Sequence, residues 1–216
     1  MAEPRIAARE GQELAAAVFA AVCERLLAAE AHFNALDRAI GDGDHGHNLS
    51  RAARRLAEIH GELAALELPA MIQRAGKEIV MSVGGASGPL YGTLLLELGK
   101  ALPLHPSLPE WADAFAVGVE ALARRGRAEE GDKTMLDVLG PAAGALSANA
   151  RAGADRALSA LRDAAAAGFE RSRPLKAKRG RAAFVGERAV GADDPGAASA
   201  LLCISTIVEF LGEIPS

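Results

Sequence analysis

The sequence predicts an all-α fold, eight helices in an antiparallel up-and-down arrangement with the binding loops gathered at one end. Three observations predict it. Half of the residues are hydrophobic but only 4% are aromatic, and the excess of Ala and Leu over β-branched residues favours helix. Apolar residues recur at three- and four-residue spacing through eight segments, and none of these segments alternates with period two. The connections are mostly short, which suits antiparallel neighbours.

The first helix is expected over 8–39, where Leu14, Val18, Val22 and Leu26 form one face with Phe19 and Cys23 beside them. It ends at Gly41. The second begins near Asn48, a favourable N-cap residue, and carries the basic run RAARRLAEIH. The third covers 68–83 and stops at Gly84-Gly85. The fourth opens on Pro89, runs to Ala101 and is closed by PLHPSLP. The fifth and sixth cover 109–124 and 134–148, the latter capped by Asp132 or Thr134. The seventh and eighth cover 154–170 and 196–211. No repeat, low-complexity stretch or linker interrupts the series, so residues 1–216 read as a single domain.

Several function classes are disfavoured. A formal net charge of -4 and a pI near 5.8 do not suit a nucleic-acid or membrane-surface binder. No uninterrupted apolar run of about 18 residues marks a membrane span, and the polar start MAEPRIAAREGQE is unlike a secretory signal. Cys23 and Cys203 lie within apolar helical patterns and read as small buried hydrophobes rather than a disulfide. The expected location is the cytoplasm.

In an up-and-down arrangement, the loops after the first, third, fifth and seventh helices share one end. They read IGDGDHGHN, VGGASGPL, RRGRAEEGDKT and LKAKRGRAAFVGERAVGADDPG. Glycine and charge are concentrated there, whereas GELAALEL, PLHPSLP and ANARAGAD at the other end hold little of either. Any one of these loops is also explained as a helix terminator. Their shared end points to one site.

Asp37, Asp42 and Asp44 supply the metal chemistry. Asp42 and Asp44 are two residues apart, so in an extended loop they point the same way. Converging carboxylates call for a cation, and all-oxygen ligation suits Mg²⁺ or Ca²⁺ better than Zn²⁺. The spacing does not match an EF-hand. Gly46 and Asn48 open a helix whose free N–H groups suit a phosphate, and the glycines around Ser87 let the backbone approach an anion. That loop fits neither a Walker A pattern nor a dinucleotide fingerprint. Arg181 has the geometry to hold a phosphate bidentately. Lys176, Lys178 and Arg179 read as a solvated or partner-facing patch. Together these residues suggest a magnesium–nucleotide site. His32, His60 and His105 read as ordinary surface or partly buried residues, and Trp111 and the phenylalanines at helical spacing as core.

LDRAIGDGDHGHN, SVGGASGPLYGT, GDKTMLDVL and KAKRGRA…GERAVGADDPGAAS, in this order, resemble the nucleotide-binding L subunit of dihydroxyacetone kinases. The resemblance implies an eight-helix barrel with the nucleotide at one end. It implies that Asp37, Asp42 and Asp44 hold two Mg²⁺ ions against the phosphates of ADP or ATP. It places His45, Gly46, His47, Asn48, Ala86, Ser87, Gly126, Met135, Arg181, Asp194, Pro195 and Gly196 around the nucleotide, and it assigns no catalytic residue to this chain. The implied reaction is phosphoryl transfer to dihydroxyacetone held on a separate K subunit. ADP is expected to stay bound as a coenzyme, to be rephosphorylated in place by an M subunit of the phosphotransferase system and then to pass that phosphoryl group on. Alternatives are an ATP-dependent half-enzyme for another short ketose, or a non-catalytic regulatory protein that binds a transcription regulator or another enzyme.

Overall fold

The computed structural model describes residues 3–213, with side chains from Gly11 onward. Helix α1 spans Glu3–Ala28, α2 Glu30–Ile40, α3 His45–Glu58, α4 His60–Ala64, α5 Leu68–Ser82 and α6 Ser87–Ala101. Then come α7 at Leu108–Gly126, α8 at Leu136–Asn149, α9 at Ala154–Ser172, α10 at Ala182–Val185 and α11 at Pro195–Gly212. Short 3₁₀ turns follow α8 and α10, and no strand occurs among the described residues.

The long helices close into a ring. α1 packs on α3, α3 on α5, and α5 through α9 pack in succession; α11 packs on α9 and returns to α1. Where neighbours meet, the fully buried residues are often Ala, including Ala75, Ala142, Ala157, Ala165 and Ala200. Small side chains let the backbones approach: a Cβ on Gly76 would lie 2.9 Å from the carbonyl oxygen of Gly92 in α6. Larger side chains such as Val18, Phe19, Leu26, Leu94 and Phe115 face an apolar lumen of about 790 Å³. Both cysteines are free thiols; Cys23 is buried and Cys203 partly so.

The eight expected helices are present with three revisions. The first is two helices, broken at Ala29, whose φ and ψ are -91° and 3°. Ala29 N–H still bonds to Arg25 O, and Phe33 N–H to Ala29 O. The four-residue spacing therefore continues through the bend, which hides it from a periodicity argument. The second expected helix starts earlier, at His45, leaving Asn48 buried in its first turn rather than at its N-cap. The third revision adds α4 and α10, five and four residues long, too short to show a period. A capping box formed by Ser107 and Glu110 sets the start of α7. Helix α11 is long and apolar enough to cross a membrane, with a mean hydropathy of 1.5, but half of it is buried as a wall of the ring.

Candidate functional site

Asp37 lies in the last turn of α2, and the chain reverses through Gly43, whose φ is +82°. The segment is thus a tight turn, not the extended loop expected. The reversal still brings carboxylate oxygens of Asp37, Asp42 and Asp44 within 4.8 Å of one another, Asp37 buried and the other two exposed. Asp37 Oδ2 accepts the N–H groups of Asp44 at 2.8 Å and His45 at 3.2 Å. Asn34 Oδ1 accepts the N–H of His47 at 3.0 Å. Side chains of α2 thereby cap α3 from outside it. The amides of Asp44, His45 and His47 are thus already bonded, and the N–H of Asn48, one of the two residues expected to open the helix toward a phosphate, bonds to Asp44 O at 2.9 Å.

Gly46 allows this contact, because a Cβ there would lie 2.1 Å from Glu30 O. The donor set fits a hard divalent cation: three carboxylates, all oxygen, on one turn. The cation facing them from the protein is Arg181, whose Nε lies 2.6 Å from Asp42 Oδ2. Arg181 is therefore at the expected end of the barrel, engaged with a carboxylate.

His45 is buried, and its Nε2 lies 3.0 Å from Ser199 Oγ, which in turn lies 2.8 Å from the Tyr91 hydroxyl. Burial lowers the His45 pKa, against the opposing charges of Asp37 and Asp44. His47 remains exposed, 3.6 Å from Glu30. Asn48 lies against the glycine-rich loop, its Nδ2 3.2 Å from where a Cβ of Gly85 would be. Ser87 is buried in the first turn of α6, while Ala86 at its N-cap is exposed.

Across the ring, Met135 is the buried N-cap residue of α8, and its Cε lies 3.4 Å from a Cβ position on Gly196. Asp194 caps α11 by accepting Ala197 N–H at 2.7 Å, and Pro195 follows at the first helical position. Burial pushes the Asp194 carboxyl up to about 7. Gly126 ends α7 and faces Leu90 of α6. Each residue expected around a nucleotide thus lies on the four loops of this end or on the helix termini beside them.

The strap at 173–193, between α9 and α11, is held by contacts that the sequence does not show. Lys176, Lys178 and Arg179 are exposed, as expected of a solvated patch, but they are also paired: Lys178 Nζ and Arg179 Nε bond to the two oxygens of Asp132 at 3.1 and 3.0 Å. Lys176 pairs with Glu187 at 2.8 Å. Burial alone would raise the Asp132 carboxyl, but the Glu129 N–H and both cations hold it below its usual value. Asp132 is thus committed to the strap. The start of α8 is fixed by Thr134 Oγ1, which accepts Leu136 N–H, and by Asp137, which accepts Thr134 N–H.

Lys133 carried no sequence signal beyond its place in GDKT. It is 1% exposed with φ +59°, and its ammonium donates to the carbonyls of Ser172 at 3.1 Å, Arg173 at 2.7 Å and Ala192 at 2.7 Å. Burial lowers its pKa, opposed by Asp194, Asp193 and Asp137. A separate apolar cluster of Ile40, Ala177, Ala182 and Ala189 seats the strap on the end of α2. Phe184, on this strap rather than on one of the expected helices, is 91% exposed.

Comparison with known proteins gives consistent matches. Residues 39–209 match the DAK2 domain family. The ADP-binding subunit DhaL of a PEP-dependent dihydroxyacetone kinase from Listeria innocua is 37% identical over 175 residues, covering 81% of this chain and 84% of that one. The Escherichia coli DhaL subunit is 34% identical, covering 86% and 90%. Human triokinase/FMN cyclase is 38% identical over 91% of this chain, which spans only 35% of the human protein. The crystal structure of the C. freundii dihydroxyacetone kinase in complex with AMP-PNP and Mg²⁺ superposes with a TM-score of 0.73 at 30% identity, over 90% of this chain and 33% of the other.

Proposed function

The chain belongs to the DAK2 domain family, alongside the DhaL subunits of dihydroxyacetone kinase, and from that premise we propose that it is a nucleotide-binding kinase subunit. In this reading residues 1–216 form one L-type domain that works in the cytoplasm. It transfers a phosphoryl group from a Mg²⁺-bound nucleotide to dihydroxyacetone held on a separate K-type subunit. ADP is the resident coenzyme, and an M-type phosphotransferase-system protein recharges it. The observation that carries this reading is the convergence of Asp37, Asp42 and Asp44 at the mouth of four glycine-rich loops.

Phosphoryl transfer depends on charge neutralisation and alignment more than on covalent chemistry by the protein. Two Mg²⁺ ions bound by Asp37, Asp42 and Asp44 would supply that neutralisation. Asp37 is the fixed ligand, since two backbone amides orient it, while exposed Asp42 and Asp44 can adjust. Arg181 can move from Asp42 to a phosphate. His45, Gly46, His47, Asn48, Ala86 and Ser87 form one side of the nucleotide cleft. Gly126, Met135 and the Asp194-Pro195-Gly196 turn form the other. Phe184 offers an apolar anchor on the same end, where a partner subunit must reach the phosphates.

The test is to purify the protein with Mg²⁺, denature it and chromatograph the released material. The expected result is about one ADP per chain, retained through dialysis because tight complexes dissociate slowly. A protein that binds no nucleotide even with Mg²⁺ supplied overturns the proposal. A second reading, an ATP-dependent half-enzyme for another short ketose, is favoured by the human triokinase match; it predicts freely exchanging ATP instead. Phe184→Asp is expected to weaken capture of the K-type subunit while nucleotide content is unchanged.

A further inference from the structure

We infer that the adjacent residues Asp132 and Lys133 position the nucleotide cleft by pinning the 173–193 strap across it. Neither residue occupies the mouth of the acidic turn. Both lie on the α7–α8 loop, and both direct side-chain groups to the strap or to the end of α9 where it begins. The Lys133 ammonium donates to Ser172 and Arg173 at one end of the strap and to Ala192 at the other. All three of its protons are thus used to close the neck. Gly191 N–H bonds to Arg173 O at 2.9 Å, and Arg173 Nε to Asp193 at 2.7 Å, across the same neck.

Asp132 holds the strap further out. Its carboxylate takes Lys178 and Arg179, and its backbone carbonyl accepts Lys178 N–H at 3.0 Å. Two residues beyond Arg179, Arg181 reaches Asp42. Two residues beyond Ala192, Asp194 begins the turn into α11. Two residues beyond Lys133, Met135 begins α8. One pinned pair therefore sets three parts of the cleft relative to one another. The left-handed backbone of Lys133 is uncommon for a residue with a side chain. It fits a position where the ammonium, rather than the backbone, is required.

This role rests on the nucleotide reading of the site. The test uses Lys133→Met, which keeps the stem and removes the donors, and Asp132→Asn, which removes the charge. Without nucleotide, trypsin is expected to cut both variants faster than wild type within 173–193. Binding of Mn²⁺ alone is expected to be unchanged or tighter, because a loosened Arg181 releases Asp42. Binding of Mn²⁺–ADP is expected to weaken by about tenfold or more, as when groups that orient a ligand shell are lost.

A purely structural role would weaken both forms of binding together, and that result, or unchanged affinities with an equally protected strap, overturns the inference. If Lys133→Met does not fold, Asp132→Asn decides by the same readouts. If wild type binds Mn²⁺ but not ADP, the proposed function fails, and strap cleavage still decides the pinning.

Discussion

Asp37 performs two tasks that its neighbours do not share. It faces the proposed cation, and it caps α3 by accepting two amides. Asp37→Ala is therefore expected to destabilise the protein by about 1–2 kcal/mol, the range for a lost helix cap. Asp42→Ala loses only an exposed ion pair with Arg181 and is expected to stay within about 0.5 kcal/mol. Urea unfolding in EDTA separates the two. Asp194 gives a pH test. Burial raises its folded pKa to about 7 from an ordinary value of 3.8, so the folded chain holds this proton more tightly. That contribution favours folding at low pH and is lost as pH rises from about 4 to 7. Lys133 and Asp137 are the charges facing it. Asp194→Asn keeps a capping side chain and is expected to flatten this part of the melting-temperature profile. The three aspartates were legible in sequence because their spacing is local. Lys133 was not, because its partners lie 39 to 59 residues away.

At the scale of elements, the helix ends explain where sequence reading succeeded and failed. Helices whose signals are local were placed well: Pro195 at the start of α11 and the glycines after α5 sit within a few residues of the ends they mark. The start of α3 was misplaced because its caps, Asp37 and Asn34, come from α2. The same contact makes Gly46 the joint between the two helices. Gly46→Ala places a Cβ 2.1 Å from a backbone carbonyl, which cannot swing aside like a side chain. The expected cost is about 1–3 kcal/mol, as for other overpacked positions. The N-terminus of α3 would be pushed away from Asp37, weakening Mg²⁺–ADP binding as well. Thermal melts and nucleotide titration of this variant should fall together. The strap itself was read as a charged patch because composition does not show that Asp132 lies beneath it.

Over the whole molecule, the residue pattern made the ring legible as a count of helices with short connections, whereas its closure was implied only by the family resemblance. Nothing in the periodicity of α1 or α11 says that they are neighbours, yet their contact joins the two sides of the wall. A chain shortened at Asp194 should consequently lose more than one helix. It opens the lumen of about 790 Å³ and exposes the apolar faces that line it. Such a chain is expected to melt without a cooperative transition and to bind a hydrophobic dye, whereas the complete ring melts in a single step. Closure by α11 also bears on biosynthesis. The ribosome makes this wall after all the others, so a nascent chain carrying α1 through α9 has an open seam until it emerges. Final assembly is therefore a late event, and the greasy inner faces must be shielded meanwhile. A ribosome stalled before α11 emerges would leave a product suited to capture by chaperones and proteases, not a weakened version of the folded ring.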